Sequence, residues 1–308
     1  MNDLQTYISR YLEYCRCQKR LDAKTIKAYR IDLAQFQAGM GSTSISDITP
    51  DTLENLIASL HQKYKPKTVK RKLASIKGLF RYFEYKEIIE QNPFHKVQIK
   101  FREAATLPKT IPLQTVQELL STVYRQHADA KTACQKKNTL RDIAVIELLF
   151  ATGMRISELC SLKASSVNLA DKSILIYGKG SKERKVQIGN DDVIRVLSEY
   201  KHAFLSEIQA CSYFFASQGG HGLSDQSVRR MINKYTSLAA IELHITPHMF
   251  RHTFATCLLE ADVDIRYIQE MLGHSSINIT EIYTHVAMSK QRAILTAKHP
   301  RNSFQICT

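Results

Sequence analysis

The segment Thr246-Pro247-His248-Met249-Phe250-Arg251-His252 sets two histidines four residues apart, with an arginine between them, behind a Thr-Pro helix start. Side chains at these spacings share one helix face. Three chemistries are open to such a face: buried structural histidines, a metal site, or a cationic clamp for phosphate. Zinc fits poorly, because Met249 stands where a metalloprotease motif has its general-base Glu and Arg251 would set positive charge beside the ion.

A second cationic position is Arg155, after the helix-ending run Ala151-Thr152-Gly153 and ahead of Ile156-Ser157-Glu158-Leu159. A cation at the electropositive start of a helix opposes the dipole and so implies an anion facing it. Glu158, three residues on, is placed to orient Arg155 through an ion pair; otherwise it is a surface carboxylate. Gly178-Lys179-Gly180-Ser181-Lys182 invites comparison with a phosphate cradle, but the spacing GxxxxGK[ST] is missing and a strand follows where a helix is needed. An NTPase is excluded, and Lys179 taken alone is an exposed turn lysine. Downstream, Leu272-Gly273-His274-Ser275 ends a helix with a histidine, and Tyr283 in Glu281-Ile282-Tyr283-Thr284-His285 lies nine residues beyond His274. His252 and His285 read as structural.

These groups must be held by a scaffold of 308 residues, long enough for two domains at about 150 residues each. Helical spacing dominates. Leu4, Tyr7, Ile8, Tyr11 and Leu12 form one apolar stripe, and Ile26, Tyr29, Leu33 and Phe36 a second that ends near Gly39 and Gly41. Thr49 and Pro50 open a third helix with Leu53, Leu56, Ile57 and Leu60 buried, and Pro66 and Thr68 open a fourth carrying Val69, Leu73, Ile76, Phe80 and Phe83. The pattern stops at Asn92-Pro93, which puts a linker at about residues 92–112. The second domain then reads as a helix over Leu113–Tyr124, a polar loop from Arg125 to Lys137, an apolar helix at Ile143–Phe150, a β-hairpin of 173–177 and 185–188, and mainly helix from Asp191.

Charge suggests the partner. There are 43 Lys and Arg against 29 Asp and Glu, a net charge of +14, and residues 1–105 carry 19 basic and 11 acidic side chains. Between Lys63 and Lys72, six of ten residues are Lys or Arg. Such concentration is the electrostatic footprint of a nucleic-acid binder rather than an ordinary solvated face, and Lys67, Thr68, Lys70, Arg71, Lys77 and Arg81 are the candidate DNA contacts. A membrane span is not expected, since the longest apolar run, Ile143–Phe150, contains Glu147 and falls far short of about 20 residues. The amino terminus has no signal-peptide core. Seven cysteines, with only Cys15 and Cys17 closely spaced, fit neither a disulfide framework nor a paired zinc site and point to a reducing, cytoplasmic compartment.

Taken together, HxxRH at 248–252, LGH at 272–274 and IYTHV at 282–286, preceded by ATGMRISEL and YGKGSKER, resemble the tyrosine recombinases, especially their Xer and phage-integrase members. The resemblance covers nearly the whole chain. It implies a mainly α protein with a small antiparallel β-sheet in two domains: a helical SAM-like core-binding domain over 1–105 and an α+β catalytic domain over 106–308. It also implies a catalytic pocket of Arg155, Lys179, His248, Arg251 and His274, with Tyr283 as nucleophile. No metal, ATP or other cofactor is implied. The partner is double-stranded DNA with paired recombination sites, held by a homotetramer or by a heterotetramer with a related recombinase. Integration and excision of a mobile element, or resolution of DNA multimers, are the contexts such an enzyme serves.

The residue types suit that chemistry. Arg155 and Arg251 each present a planar fork to phosphate oxygens, and a His274 ring N–H adds a donor. Tyr283 must lose a proton to attack, with His248 as base or phosphate donor, while Lys179 protonates the leaving 5′ oxygen. Two other functions share parts of this pattern. A type IB topoisomerase would use the same pocket to relax supercoils as a monomer, and a noncatalytic DNA-binding regulator would keep the fold without needing the lysine or tyrosine. Cys257 and the Ala261-Asp262-Val263-Asp264 turn depart from the commoner family pattern, which often has glycine where Asp262 stands; Asp tolerates a left-handed backbone. The segment after Tyr283, with Val286, Met288, Ile294 and Leu295, packs either on a neighbouring subunit or within its own chain.

Overall fold

The structure is a computed structural model and describes residues 4–41, 44–99, 109–178, 183–217 and 219–273. The chain divides into two compact units, Met1–Ala105 and Thr106–Thr308.

In the first unit, α1 (Leu4–Cys17), α2 (Ala23–Met40), α3 (Pro50–Lys63) and α4 (Pro66–Tyr85) are the four helices the apolar spacing predicts. Their ends follow local chemistry. Asp22 caps α2 by accepting from the Thr25 N–H at 2.8 Å, and Thr49 caps α3 by accepting from Thr52 at 3.3 Å, with Pro50 just inside. On α4, Val69, Leu73, Ile76, Phe80 and Phe83 are buried, while Lys67, Lys70 and Arg81 face solvent. The remaining cations of this stretch are partly turned to structural use. Arg71 pairs with the buried carboxylate of Asp32, Lys72 is itself buried and bonded to Asp32 at 3.1 Å and to Gln35, and the Lys77 ammonium lies 5.6 Å from the centre of the Phe94 ring. Part of the charge that reads as a DNA footprint therefore holds α4 to α2.

The linker expected at 92–112 is too wide at both ends. Pro93–Lys96 forms a 3-10 turn capped by Asn92, and Phe94 and Val97 are buried in the first core, with Phe94 edge-on to Phe80 at 5.4 Å. α4 already ends at Tyr85, and Pro93 opens the 3-10 turn without releasing the chain. At the other end Ile111 is buried in the second core, and its N–H donates to Thr253 Oγ1 at 2.7 Å.

The second unit is built on α6 (Ala133–Thr152), flanked by α5 (Leu113–Ala128), α8 (Asp191–Ala203) and α11 (Pro247–Glu260). From Ile143 to Leu149 α6 is buried nearly all round, which explains its continuous apolar run. The Arg125–Lys137 stretch is not the loop the polarity suggested. α5 runs to Ala128 and α6 restarts at Ala133 behind a Thr132/Gln135 capping box, leaving a four-residue turn. Arg125 and Lys136 are solvent-facing helix positions, Lys131 lies in the turn and Lys137 pairs with Glu207 at 2.5 Å, and Arg125 sits favourably in the last turn of α5. The short α7 (Ile156–Cys160) follows, then β1 (Val167–Asn168), β2 (Ser173–Tyr177) and β3 (Glu183–Gln187), antiparallel in that order with Ile174 opposite Val186. The two-residue β1 was not anticipated. Next come α9 (Leu205–Cys211), α10 (Asp225–Leu238), α11 and α12 (Ile265–Leu272). Asp262, in the turn before α12, has φ +66°, the left-handed conformation its side chain tolerates. Among the described residues, no helix is long and apolar enough to cross a membrane.

Candidate active site

Arg251 sits one turn inside α11 and is 5% exposed. Its Nη1 donates to the carbonyl of Gly153 at 2.9 Å and its Nη2 to that of Leu272 at 2.6 Å. These carbonyls come from the ends of α6 and α12, so one guanidinium fastens three segments. The junction is tight. Gly153 adopts φ +58° as the cap of α6, and a Cβ there would lie 2.7 Å from the Phe254 ring and 3.0 Å from Leu272. Both the backbone angle and the space require glycine. The result sets Arg155, two residues past Gly153, beside the anchor of Arg251.

Arg155 precedes α7, and Glu158 reaches back to it. Glu158 Oε2 accepts from the Arg155 backbone N–H at 2.8 Å and Oε1 from its Nη1 at 2.8 Å, so the ion pair suggested by their spacing is formed. The same carboxylate takes two bonds from Arg184 on β3, at 3.0 and 2.7 Å. Burial works to raise the Glu158 carboxyl, but hydrogen bonds from Arg184 and Arg155 outweigh it and hold the group below the usual carboxylate range. Glu158 is thus buried rather than a surface carboxylate, and ionised.

His248 lies in the first turn of α11 and remains open to solvent. Partial covering of its ring, then the charges of Arg229, Arg251 and Arg155, keep it below the ordinary histidine value of 6.5. A neutral imidazole that feels the charges of three guanidinium groups is what an anion-binding site with an available base requires. His252, one turn on, is half-buried and also pushed down, by burial and then by His248 and Arg251.

Lys179, His274 and Tyr283 lie outside the described residues, as do His285 and the segment bearing Val286, Met288, Ile294 and Leu295. Lys179 belongs to the connection between β2 and β3, and His274 follows Gly273, the φ +64° cap of α12. Arg155, Glu158, His248 and Arg251 are brought together. Lys67, Thr68, Lys70, Arg71, Lys77 and Arg81 share α4 in the other unit. Arg184 and Arg229 escaped the sequence reading. Arg184 stands inside YGKGSKER but carries no signal apart from its neighbours, and Arg229 is one of two adjacent arginines on an otherwise ordinary amphipathic helix.

Residues 123–290 match the phage integrase family, and residues 8–86 match the phage integrase N-terminal SAM-like domain. A tyrosine recombinase of Agathobacter rectalis is 66% identical over 304 residues, covering 99% of each chain. The tyrosine recombinase XerD of Listeria innocua is 35% identical and covers 98% of this chain and 100% of its own. Among solved structures, the fold resembles the XerH site-specific recombinase bound to its difH substrate, with a TM-score of 0.74 at 22% identity over 94% of this chain and 95% of that one. It also resembles a lambda integrase tetramer bound to a Holliday junction, at a TM-score of 0.68 and 18% identity over 89% and 77%. Sequence motifs, a two-unit helical architecture and family matches over both units agree, and the chain belongs to the phage integrase family of tyrosine recombinases.

Proposed function

We propose that this site-specific recombinase cuts and rejoins duplex DNA through a 3′-phosphotyrosine on Tyr283, with Arg155, Lys179, His248, Arg251 and His274 as its catalytic groups. The observation that carries the reading is the fixing of Arg155 and Arg251 around a solvent-open, neutral His248. In the step, the Tyr283 oxygen attacks phosphorus and gives its proton to His248. The P–O5′ bond breaks, and Lys179 protonates the departing oxygen. Negative charge building on the nonbridging oxygens meets Arg155, Arg251 and the His274 N–H, donors already oriented before reaction. The phosphotyrosine retains the energy of the broken bond, so attack by a 5′-hydroxyl from the partner strand reseals DNA without ATP.

Duplex DNA with paired sites is the substrate, the exposed cations of α4 grip its backbone, and four subunits act together. All four are copies of this chain, or two belong to a related recombinase. The cytoplasm, where the DNA is, is the place of action. The test is trapping on DNA nicked near the scissile phosphate, in EDTA. A protein–DNA adduct resistant to denaturation is expected, since arginine and histidine supply the charge. Cleavage that disappears in EDTA and returns with added divalent metal would overturn the reading in favour of a metallonuclease.

The acid limb of cleavage supplies a second test. A histidine held below 6.5 stays neutral, and able to accept a proton, to lower pH than an ordinary one. Arg229→Ala removes the largest of the charges acting on it, which raises the His248 pKa. The acid limb of single-turnover cleavage at saturating DNA is therefore expected to move up towards 6.5 in this variant. A limb that stays in place removes His248 as the base.

A further inference from the structure

Arg184 has a side chain only 9% exposed, and all three of its guanidinium nitrogens donate inside the protein. Nη1 and Nη2 form the fork on Glu158 at 3.0 and 2.7 Å, and Nε donates to the Met271 carbonyl at 2.8 Å. Each oxygen of Glu158 therefore takes one bond from Arg184 and one from Arg155. The last turn of α12 is held by two arginines on consecutive carbonyls, Arg184 on Met271 and Arg251 on Leu272. Gly273 completes the fit. It has φ +64°, and a Cβ on it would lie 3.0 Å from both Cδ and Nη1 of Arg184. Arg184 is the second residue of β3, so it lies at the root of the connection that carries Lys179.

We propose that Arg184 is a positioning residue for strand cleavage, an internal clamp that fixes the Glu158–Arg155 pair, the end of α12 before His274 and the root of the Lys179 connection to one another. It does not touch DNA. A forked guanidinium is the group that can meet both carboxylate oxygens and a carbonyl at once. Without it, Glu158 keeps a single cationic partner in a buried setting, and Arg155 loses the rigid carboxylate that sets its angle. The inference rests on the reading of Arg155 as a phosphate-binding catalytic group.

The test compares Arg184→Gln, Arg184→Lys, Glu158→Gln, the Arg184→Gln/Glu158→Gln double variant and Arg155→Ala in the full chain. It measures thermal midpoint, DNA affinity and the single-turnover rate of adduct formation at saturating DNA. Arg184→Gln is expected to slow adduct formation by about 10²-fold, the scale of a catalytic group misplaced by an ångström, with DNA affinity unchanged. Arg184→Lys keeps the charge but loses the fork, so it should fall between Gln and the wild type; it also serves if Arg184→Gln fails to fold. Because Arg184 and Glu158 act as one unit, the double variant should lose little more than either single variant.

A substrate with a methylphosphonate at the scissile position separates positioning from general damage. This linkage has no charged nonbridging oxygen and so needs less from Arg155. The Arg184→Gln deficit is expected to shrink on it, whereas a deficit from lowered stability would be the same on both substrates. Wild-type cleavage by Arg184→Gln, a loss confined to DNA affinity, multiplying losses in the double variant, or an equal deficit on both substrates would each overturn the proposal while leaving the site intact. Normal cleavage by Arg155→Ala would instead overturn the reading of Arg155, and this inference with it.

Discussion

Tyr283→Phe binds DNA as the wild type does and forms no covalent adduct. The substitution removes one oxygen and leaves the ring, so contacts that hold the duplex persist while the nucleophile is gone. Loss of a nucleophile from an assembled site costs on the order of 10⁶ in rate, far beyond the effect of any positioning residue. The chain has 14 tyrosines, and the surroundings of several disqualify them. Tyr235 is buried and donates to Asp142, Tyr124 donates to Glu147, and Tyr200 is buried with its hydroxyl on the Phe214 carbonyl. Burial first, and for Tyr235 and Tyr124 a carboxylate partner as well, pushes these phenols above the ordinary value of 10.0. An attacking phenol needs the opposite, cations and a neutral base. Denaturing gels of wild type and variant on nicked DNA, beside a binding titration, decide the point. An adduct that survives in Tyr283→Phe removes Tyr283 as nucleophile and turns attention to Tyr267, 64% exposed on α12.

Chemistry and topology were legible in the sequence to different degrees. Apolar spacing and helix-start signals locate the helices of the first unit, because Thr49-Pro50 and Pro66 are local signals that act within a few residues. The tight turn at Gly153 and the helix start at Pro247 were legible for the same reason. What spacing misses is the nonlocal partner. Lys72 reads as one more surface cation until Asp32, forty residues earlier in the chain, is found beneath it. Arg125 to Lys137 looks like a loop because polar residues carry no period, yet a capping box and the covering of α6 by α5 make it helical. Arg184 is the sharpest case. Its partners lie 26 and 87 residues away, and nothing in a window around it distinguishes it from Lys182 or Lys185. Residues that touch substrate fall in recognisable motifs, whereas those that hold them in place are found through contacts distant in sequence.

Lys179→Ala slows cleavage of ordinary DNA by about 10² to 10⁴, the usual range for general acid catalysis, with little change in binding. The competing role is a backbone contact, since a lysine between two strands can meet DNA as a point charge. That role predicts weaker binding and a log-log salt slope lowered by about 0.9 for the lost phosphate contact. Substitution of sulfur for the bridging 5′ oxygen separates the two on chemical grounds. A thiolate departs without needing a proton, so Lys179→Ala should recover most of its cleavage rate on that substrate. Arg251→Ala should not recover, because its guanidinium, fixed by the carbonyls of Gly153 and Leu272, serves the nonbridging oxygens whatever group leaves. Single-turnover rates of both variants on both substrates give the answer. If Lys179→Ala is equally slow on oxygen and sulfur, Lys179 is not the acid, and Lys182 in the same connection is the next residue to test.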